Sequence, residues 1–277
     1  DNNNAQDVFQ TANPLVPQNN SGTWWIPSES GWGLFTVDQG DAVGVGWFTY
    51  DLDGEPTWFI GAAFKQEDGR YVGEMFRQTG VPLAEITGLA TETSVRFADI
   101  ALTFNGTGGL KYEYSVVGGV SQTKFMGRFV YSGEDIVCRT SPFASRKLVP
   151  NASDLWWGGA DTSGWGIFVN QARDVLVSTW YTYDTDREAI FLIALAQRQS
   201  DGSFSGEIFR QANGTPFDRI DGAPPSVSAD VVGSVEVSLL DGESADFTYT
   251  IGSVVQTKRI SRFVFGSIPG ACMEARP

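Results

Sequence analysis

The chain has 277 residues, 42% of them hydrophobic, which is enough to bury one large core or two of ordinary size. Its net charge of −14 and pI near 4.4 oppose binding to nucleic acid or to anionic membrane surfaces, because such affinity rests on Lys and Arg releasing counterions. The absence of histidine removes Ser-His-Asp and Cys-His nucleophile systems and His-ligated zinc, iron and copper sites.

In chain order, residues 1–20 are rich in Asn and Gln, carry Pro14 and Pro17 and lack an apolar period, so they read as an extended N-terminal arm. The chain begins at Asp1 without Met, and a removed signal peptide is the expectation, with a removed expression tag as the alternative. Residues 21–131 form a first module of short strands: Gly33–Gln39, Ala42–Asp51, Thr57–Gln66, Arg70–Gln78, Val95–Phe104, Leu110–Val117 and Gln122–Tyr131. Turn dipeptides separate several of them, among them Asp53-Gly54, Asp68-Gly69 and Asn105-Gly106. A linker, 132–154, leads to a second module, 155–265, and a C-terminal tail, 266–277. No apolar run is long enough to cross a bilayer, so no transmembrane segment is expected.

The second module repeats the first. Ser30-Gly31-Trp32-Gly33, Trp47 to Asp51 and Phe76-Arg77-Gln78 recur 133 positions later as Ser163 to Gly166, Trp180 to Asp184 and Phe209 to Gln211. A constant offset across a whole unit marks a duplicated structural module. Seven or eight antiparallel strands in each unit predict an all-β chain of two tandem, pseudo-symmetric up-and-down β-barrels, with two β-sandwiches as the alternative. The connection Thr79–Ser94 is where a sandwich would cross over. Cys138 and Cys272 occupy equivalent positions, so a pseudo-twofold arrangement would let them meet in a disulfide tying the tail to the linker.

Trp24-Trp25-Ile26-Pro27-Ser28-Glu29-Ser30-Gly31-Trp32-Gly33, Trp47-Phe48-Thr49-Tyr50-Asp51 and Gln256-Thr257-Lys258 leading to Arg262-Phe263 resemble a repeat seen in many exported proteobacterial proteins. That resemblance implies export and duplication and carries no activity. Module two departs from the pattern at Thr162, where module one has Glu29, and at Ala189-Ile190-Phe191, where module one has Pro56-Thr57-Trp58. Gly22-Thr23-Trp24 with Arg128 in the last strand is also similar to the calycin barrels, such as lipocalins and avidins, in which such an Arg packs over the Trp.

Aromatic residues carry the functional signal. Trp25, Trp32 and Trp47, with Trp157, Trp165 and Trp180 at the repeated places, can stack on a sugar or another flat ligand, while Arg77, Arg128, Arg210 and Arg262 can supply hydrogen bonds. The competing reading has Trp47 and Trp180 filling a core. Lys124, Met126, Arg128 and Val130 share one strand face, as do Lys258, Ile260, Arg262 and Val264. Inside a barrel these cations need pairing, with Glu74, an anionic ligand or a Trp face as the options.

Glu74 and Glu207 could serve a glycan hydrolase if a second carboxylate faced them; on a strand exterior they are ordinary surface groups. Asp51-Leu52-Asp53-Gly54 lacks the later ligands of a calcium loop and reads as a hairpin turn. The Asn-x-Ser/Thr triplets at Asn19, Asn105, Asn151 and Asn213 matter for glycosylation only in a eukaryotic secretory host.

The expectation is therefore an exported, secreted, periplasmic or cell-surface protein without catalytic residues, metal or cofactor. It would bind a glycan or other small ligand through aromatic-lined barrel sites. A structural subunit of a cell-surface complex or fibre, through a protein partner or self-assembly, is the second reading, and a carboxylate-dependent hydrolase is the third.

Overall fold

The computed structural model describes residues 19–106, 108–131, 136–140, 146, 151–222 and 226–274. The expected arm at 1–20 lies outside these residues except for Asn19 and Asn20, as do most of the linker and the end of the tail. The first module holds β1 (Gly22–Trp25), β2 (Gly33–Asp38), β3 (Ala42–Tyr50), β4 (Pro56–Lys65), β5 (Tyr71–Gly80), β6 (Thr91–Phe104), β7 (Gly109–Val116) and β8 (Ser121–Arg128). Then come β9 (Ile136–Thr140) and the second module, β10 (Asp154–Trp157), β11 (Gly166–Ala172), β12 (Val175–Tyr183) and β13 (Ala189–Arg198). It continues with β14 (Phe204–Ala212), β15 (Ser228–Leu239), β16 (Ser244–Ile251) and β17 (Val254–Arg262), and β18 (Gly270–Glu274) closes the described chain.

Each module is one antiparallel sheet of eight strands in sequential order. The first closes on itself as a barrel: β1 pairs with β8, Trp24 opposite Arg128 and Trp25 opposite Gly127. In the second, β10 likewise pairs with β17, Trp156 opposite Arg262 and Trp157 opposite Ser261. Seven of the eight strands in module one were legible as strands. The missing one, β1, is four residues long and lies beside Pro27, so its Trp pair resembles part of a turn.

Alternation in β3 shows how the chain specifies its two faces. Val43, Val45 and Trp47 point inward and are buried with Leu34, Phe59, Met75 and Tyr112, while Gly44, Gly46 and Phe48 face the second module. In β12, Leu176, Ser178 and Trp180 point inward, while Tyr181 and Tyr183 face the first module. Asp53-Gly54 is the expected turn. The Asp51 carboxylate accepts from the amides of Asp53 and Glu55 at 3.0 and 3.1 Å, and Gly54 has φ +83°, a conformation that a Cβ would strain.

The long β5–β6 connection crosses into the other module. Leu83 N donates to Tyr183 O at 3.1 Å, the Tyr249 hydroxyl donates to Leu83 O at 2.9 Å, and Ile86 is buried in the module-two core. The β14–β15 connection returns the exchange: Phe217 N donates to Tyr50 O at 3.0 Å, the Tyr114 hydroxyl donates to Phe217 O at 3.3 Å, and Phe217 and Ile220 join the module-one core. Each module is thus capped by a strap from the other. The crossover expected of a sandwich at 79–94 is instead an inter-module cap, because this connection finds its apolar burial across the interface.

Interface aromatics reinforce the exchange. Phe35 stacks on Phe168 with centroids 4.0 Å apart, Trp58 lies against Tyr181 and Tyr183, and the Trp58 indole donates to Thr182 O at 3.0 Å. Two ion pairs are equally reciprocal, Arg77 with Glu188 at 3.7 Å and Arg210 with Glu55 at 3.1 Å. The expected disulfide Cys138–Cys272 is present, and the two cysteines sit opposite each other in the β9·β18 pair.

Candidate functional site

An open volume lies between the modules. A cleft of about 400 Å³ has its floor on β3 and β4, at Gly44, Gly46 and Ala62 of the outer face and the backbone of Gly61, and its walls at Phe35, Phe76, Phe168, Tyr181, Phe263 and Phe265. A second hollow of about 180 Å³ shares Ile60, Gln78, Leu155, Tyr181 and Phe263 with it and extends to Trp157 and Trp165. Small residues create the space. An added Cβ on Gly44 would stand 2.8 Å from the Phe265 ring, and one on Gly46 2.7 Å from the Tyr181 hydroxyl, so these glycines let the aromatic walls approach the backbone.

The pseudo-symmetric side is closed. There Val177, Thr179 and Leu195 replace Gly44, Gly46 and Ala62, and Asn170 Nδ2 donates to Thr23 Oγ1 at 2.7 Å where the open side has Val37 and Leu155. What remains on that side, beside Tyr131 and the disulfide, is about 30 Å³. Among the described residues, these small-for-large differences between the repeats leave the open volume on one side.

The chemistry of the cleft is apolar. Among its described lining residues Tyr181 is the only titratable group; burial pushes its phenol well above the usual value, so it stays neutral. No carboxylate is among those described residues. Gln78 and Ser94 are its polar side chains apart from that phenol, and Gln78 Oε1 accepts from the Tyr183 hydroxyl at 3.2 Å. Such a lining can bind and orient a ligand through ring faces and a few hydrogen bonds.

The residues singled out by sequence fall into four groups. Trp32, Trp47, Trp165 and Trp180 are buried inside the modules; Trp47 packs on Tyr114 with centroids 4.7 Å apart and Trp180 on Tyr249 at 4.6 Å. These rings, with the two straps, occupy the interiors of the modules where an internal site was expected, and Trp165 also borders the extension of the cleft. Trp25 and Trp157 lie outside, half-buried, edge-on to Phe129 and Phe263 at 4.7 Å each, and Trp157 reaches the extended cleft. Arg77 and Arg210 form the reciprocal inter-module ion pairs.

Arg128 and Arg262 stack over Trp24 and Trp156 at 4.8 and 4.7 Å and cap the carbonyls of Asn19 and Asn151 at 2.9 and 2.7 Å. Desolvation lowers the Arg262 pKa, and Asp154 counters it from 3.1 Å. The cation-bearing strand face therefore points inward. Lys124 takes Glu29 as its partner, at 2.9 Å, while Glu74 lies on the exterior, paired with Arg96 at 2.6 Å. Glu207 is exposed.

Sequence reading missed the cleft because its floor is made of the least conspicuous residues. The signal was Gly44 and Gly46 alternating with Val43, Val45 and Trp47, which marks the outer face as a place of close approach. No group of three or more potential metal ligands occurs among the described residues, and no helix there is long and apolar enough to span a membrane. Compared with protein families, curated proteins and solved structures, the chain matches none.

Proposed function

We propose that this chain is a binding protein for a small, flat or chain-like apolar ligand, held in the cleft between its modules. Both modules are read as up-and-down barrels of calycin-like build, an assignment favoured for the second by the β10·β17 pairing and by Arg262 stacked over Trp156. The observation that carries the functional reading is the cleft itself, whose size suits a small molecule and whose walls are ring faces. A glycan is a weaker fit, since its hydroxyls would face few partners and desolvating them without hydrogen bonds is costly.

The disulfide suits an oxidising compartment, in keeping with the expectation of export. The test is calorimetric titration with a panel of naphthalene-type aromatics, medium-chain alcohols and oligosaccharides. Saturable binding of the first two classes, with oligosaccharides silent, is the expected pattern. Oligosaccharide binding alone would return the site to the half-buried outer rings such as Trp25, and binding by none of the panel would remove the reading.

A further inference from the structure

The two modules treat one equivalent lysine differently. In module one, Lys124 on β8 donates to both oxygens of Glu29 at 2.9 and 3.1 Å and to the carbonyl of Ile220 at 2.9 Å. All three ammonium protons are used and both side chains are buried. The strap supplying Ile220 also brings Gly222 alongside, where an added Cβ would stand 3.9 Å from Glu29 Oε1.

In module two, Lys258 on β17 donates to the carbonyl of Ile86 at 2.6 Å, the same strap contact, but no carboxylate pairs with it among the described residues. The counterpart of Glu29 is Thr162, which is too short to take its place and whose hydroxyl donates to Gly158 O at 2.7 Å. Gly88, the counterpart of Gly222, would meet nothing within 4 Å if it carried a Cβ. Where module one places a carboxylate beside its lysine, module two has the shorter Thr162, and its cation is half-buried. Desolvation holds the Lys258 pKa below the ordinary lysine value.

We propose that the capped end of module two is a binding site for a small organic carboxylate, held by Lys258 in the way Glu29 is held by Lys124 in module one. An incoming carboxylate would use the ammonium protons that Ile86 leaves free, and a charge-assisted pair in a partly desolvated position is stronger than one in open water. Lys258 does not line the apolar cleft, so this site and the proposed function stand or fall separately.

The chain has five lysines, so ¹³C-dimethylation of the amines gives a spectrum simple enough to assign with a Lys258→Gln variant. Sodium acetate is titrated into wild type against sodium chloride at constant ionic strength, with acetamide as the neutral control. The expected result is a saturable shift of the Lys258 resonance by acetate alone, weakened at least tenfold in Thr162→Glu, whose own carboxylate would occupy the place. A Lys258 response no different from that of exposed Lys65, or an equal response to acetamide, overturns the proposal. So does an unchanged acetate response in folded Thr162→Glu. If that variant does not fold, the wild-type comparison of acetate with acetamide still decides.

Discussion

Replacing Phe217 with Ala tests whether the modules are mutually capped. Phe217 belongs by sequence to module two, yet only 8% of it is exposed and its ring lies 5.1, 5.8 and 6.3 Å from Phe97, Phe59 and Trp47 of module one. Truncating a buried Phe costs about 3–5 kcal/mol, the sum of lost transfer energy and the cavity left behind. The ring closes an end, where some collapse onto the gap is available, so the lower half of that range is expected, about 3–4 kcal/mol. That is a loss of roughly several hundred-fold in the ratio of folded to unfolded chains.

Equilibrium urea unfolding measures the total, and hydrogen exchange resolved by peptide locates it. Protection should fall in β3, β4 and β6 of module one, although the substitution lies between β14 and β15. A loss below about 1 kcal/mol, or faster exchange confined to the β14–β15 connection, would refute the capping argument.

Other expectations follow from the same geometry. Glu29→Gln leaves the Lys124 charge buried without its carboxylate and should cost about 3–5 kcal/mol in urea unfolding; a loss under 1 kcal/mol would mean that water or another group replaces Glu29 easily. Reducing Cys138–Cys272 should lower stability by about 2–4 kcal/mol while far-ultraviolet dichroism keeps its β signature, because the sheets are held by their own pairing; loss of that signature on reduction would contradict this.

All eight tyrosines have phenols raised by burial, with Tyr71, Tyr131, Tyr183 and Tyr249 pushed up to about 12. The fold retains protons that the unfolded chain releases near pH 10. Stability is therefore complete below that pH and falls as pH rises toward 12, by about 1.4 kcal/mol per unit for each tyrosine. Tyrosinate absorbance should appear together with unfolding. Independent titration of the phenols near pH 10 in an intact fold would contradict the burial.

Much of the fold was legible because duplication makes local signals repeat. The 133-residue offset, the turn dipeptides and the alternation within β3 each constrain the same up-and-down sheet, and the equivalent cysteines meet as a pseudo-twofold arrangement requires. The inter-module exchange was not read, since alternation reports which face is apolar and not which partner covers it. A trace was present: Pro82-x-x-x-Ile86-x-Gly88 recurs as Pro216-x-x-x-Ile220-x-Gly222, a repeated motif in a connection where a simple loop would have drifted.

The site was less legible than the fold. Tryptophan is conspicuous in a sequence, and most of the tryptophans chosen for ligand contact turn out to be core residues, filling space in proportion to their size. The cleft depends on Gly44, Gly46 and Ala62, which contribute by what they lack. Glu29 and Lys124, 95 residues apart, become a pair only once the first turn folds under β8.

The cleft is best tested with N-phenyl-1-naphthylamine, a neutral flat probe that brightens in apolar surroundings, titrated into wild type and into Ala62→Leu. Leu is the residue module two carries at this place, and it would fill the floor of the cleft from a strand position that already tolerates it in the duplicate. Saturable one-site binding to wild type, weakened at least tenfold in a folded Ala62→Leu protein, is the expected result. Equal binding to both proteins, or none to wild type, would contradict a ligand cleft between the modules.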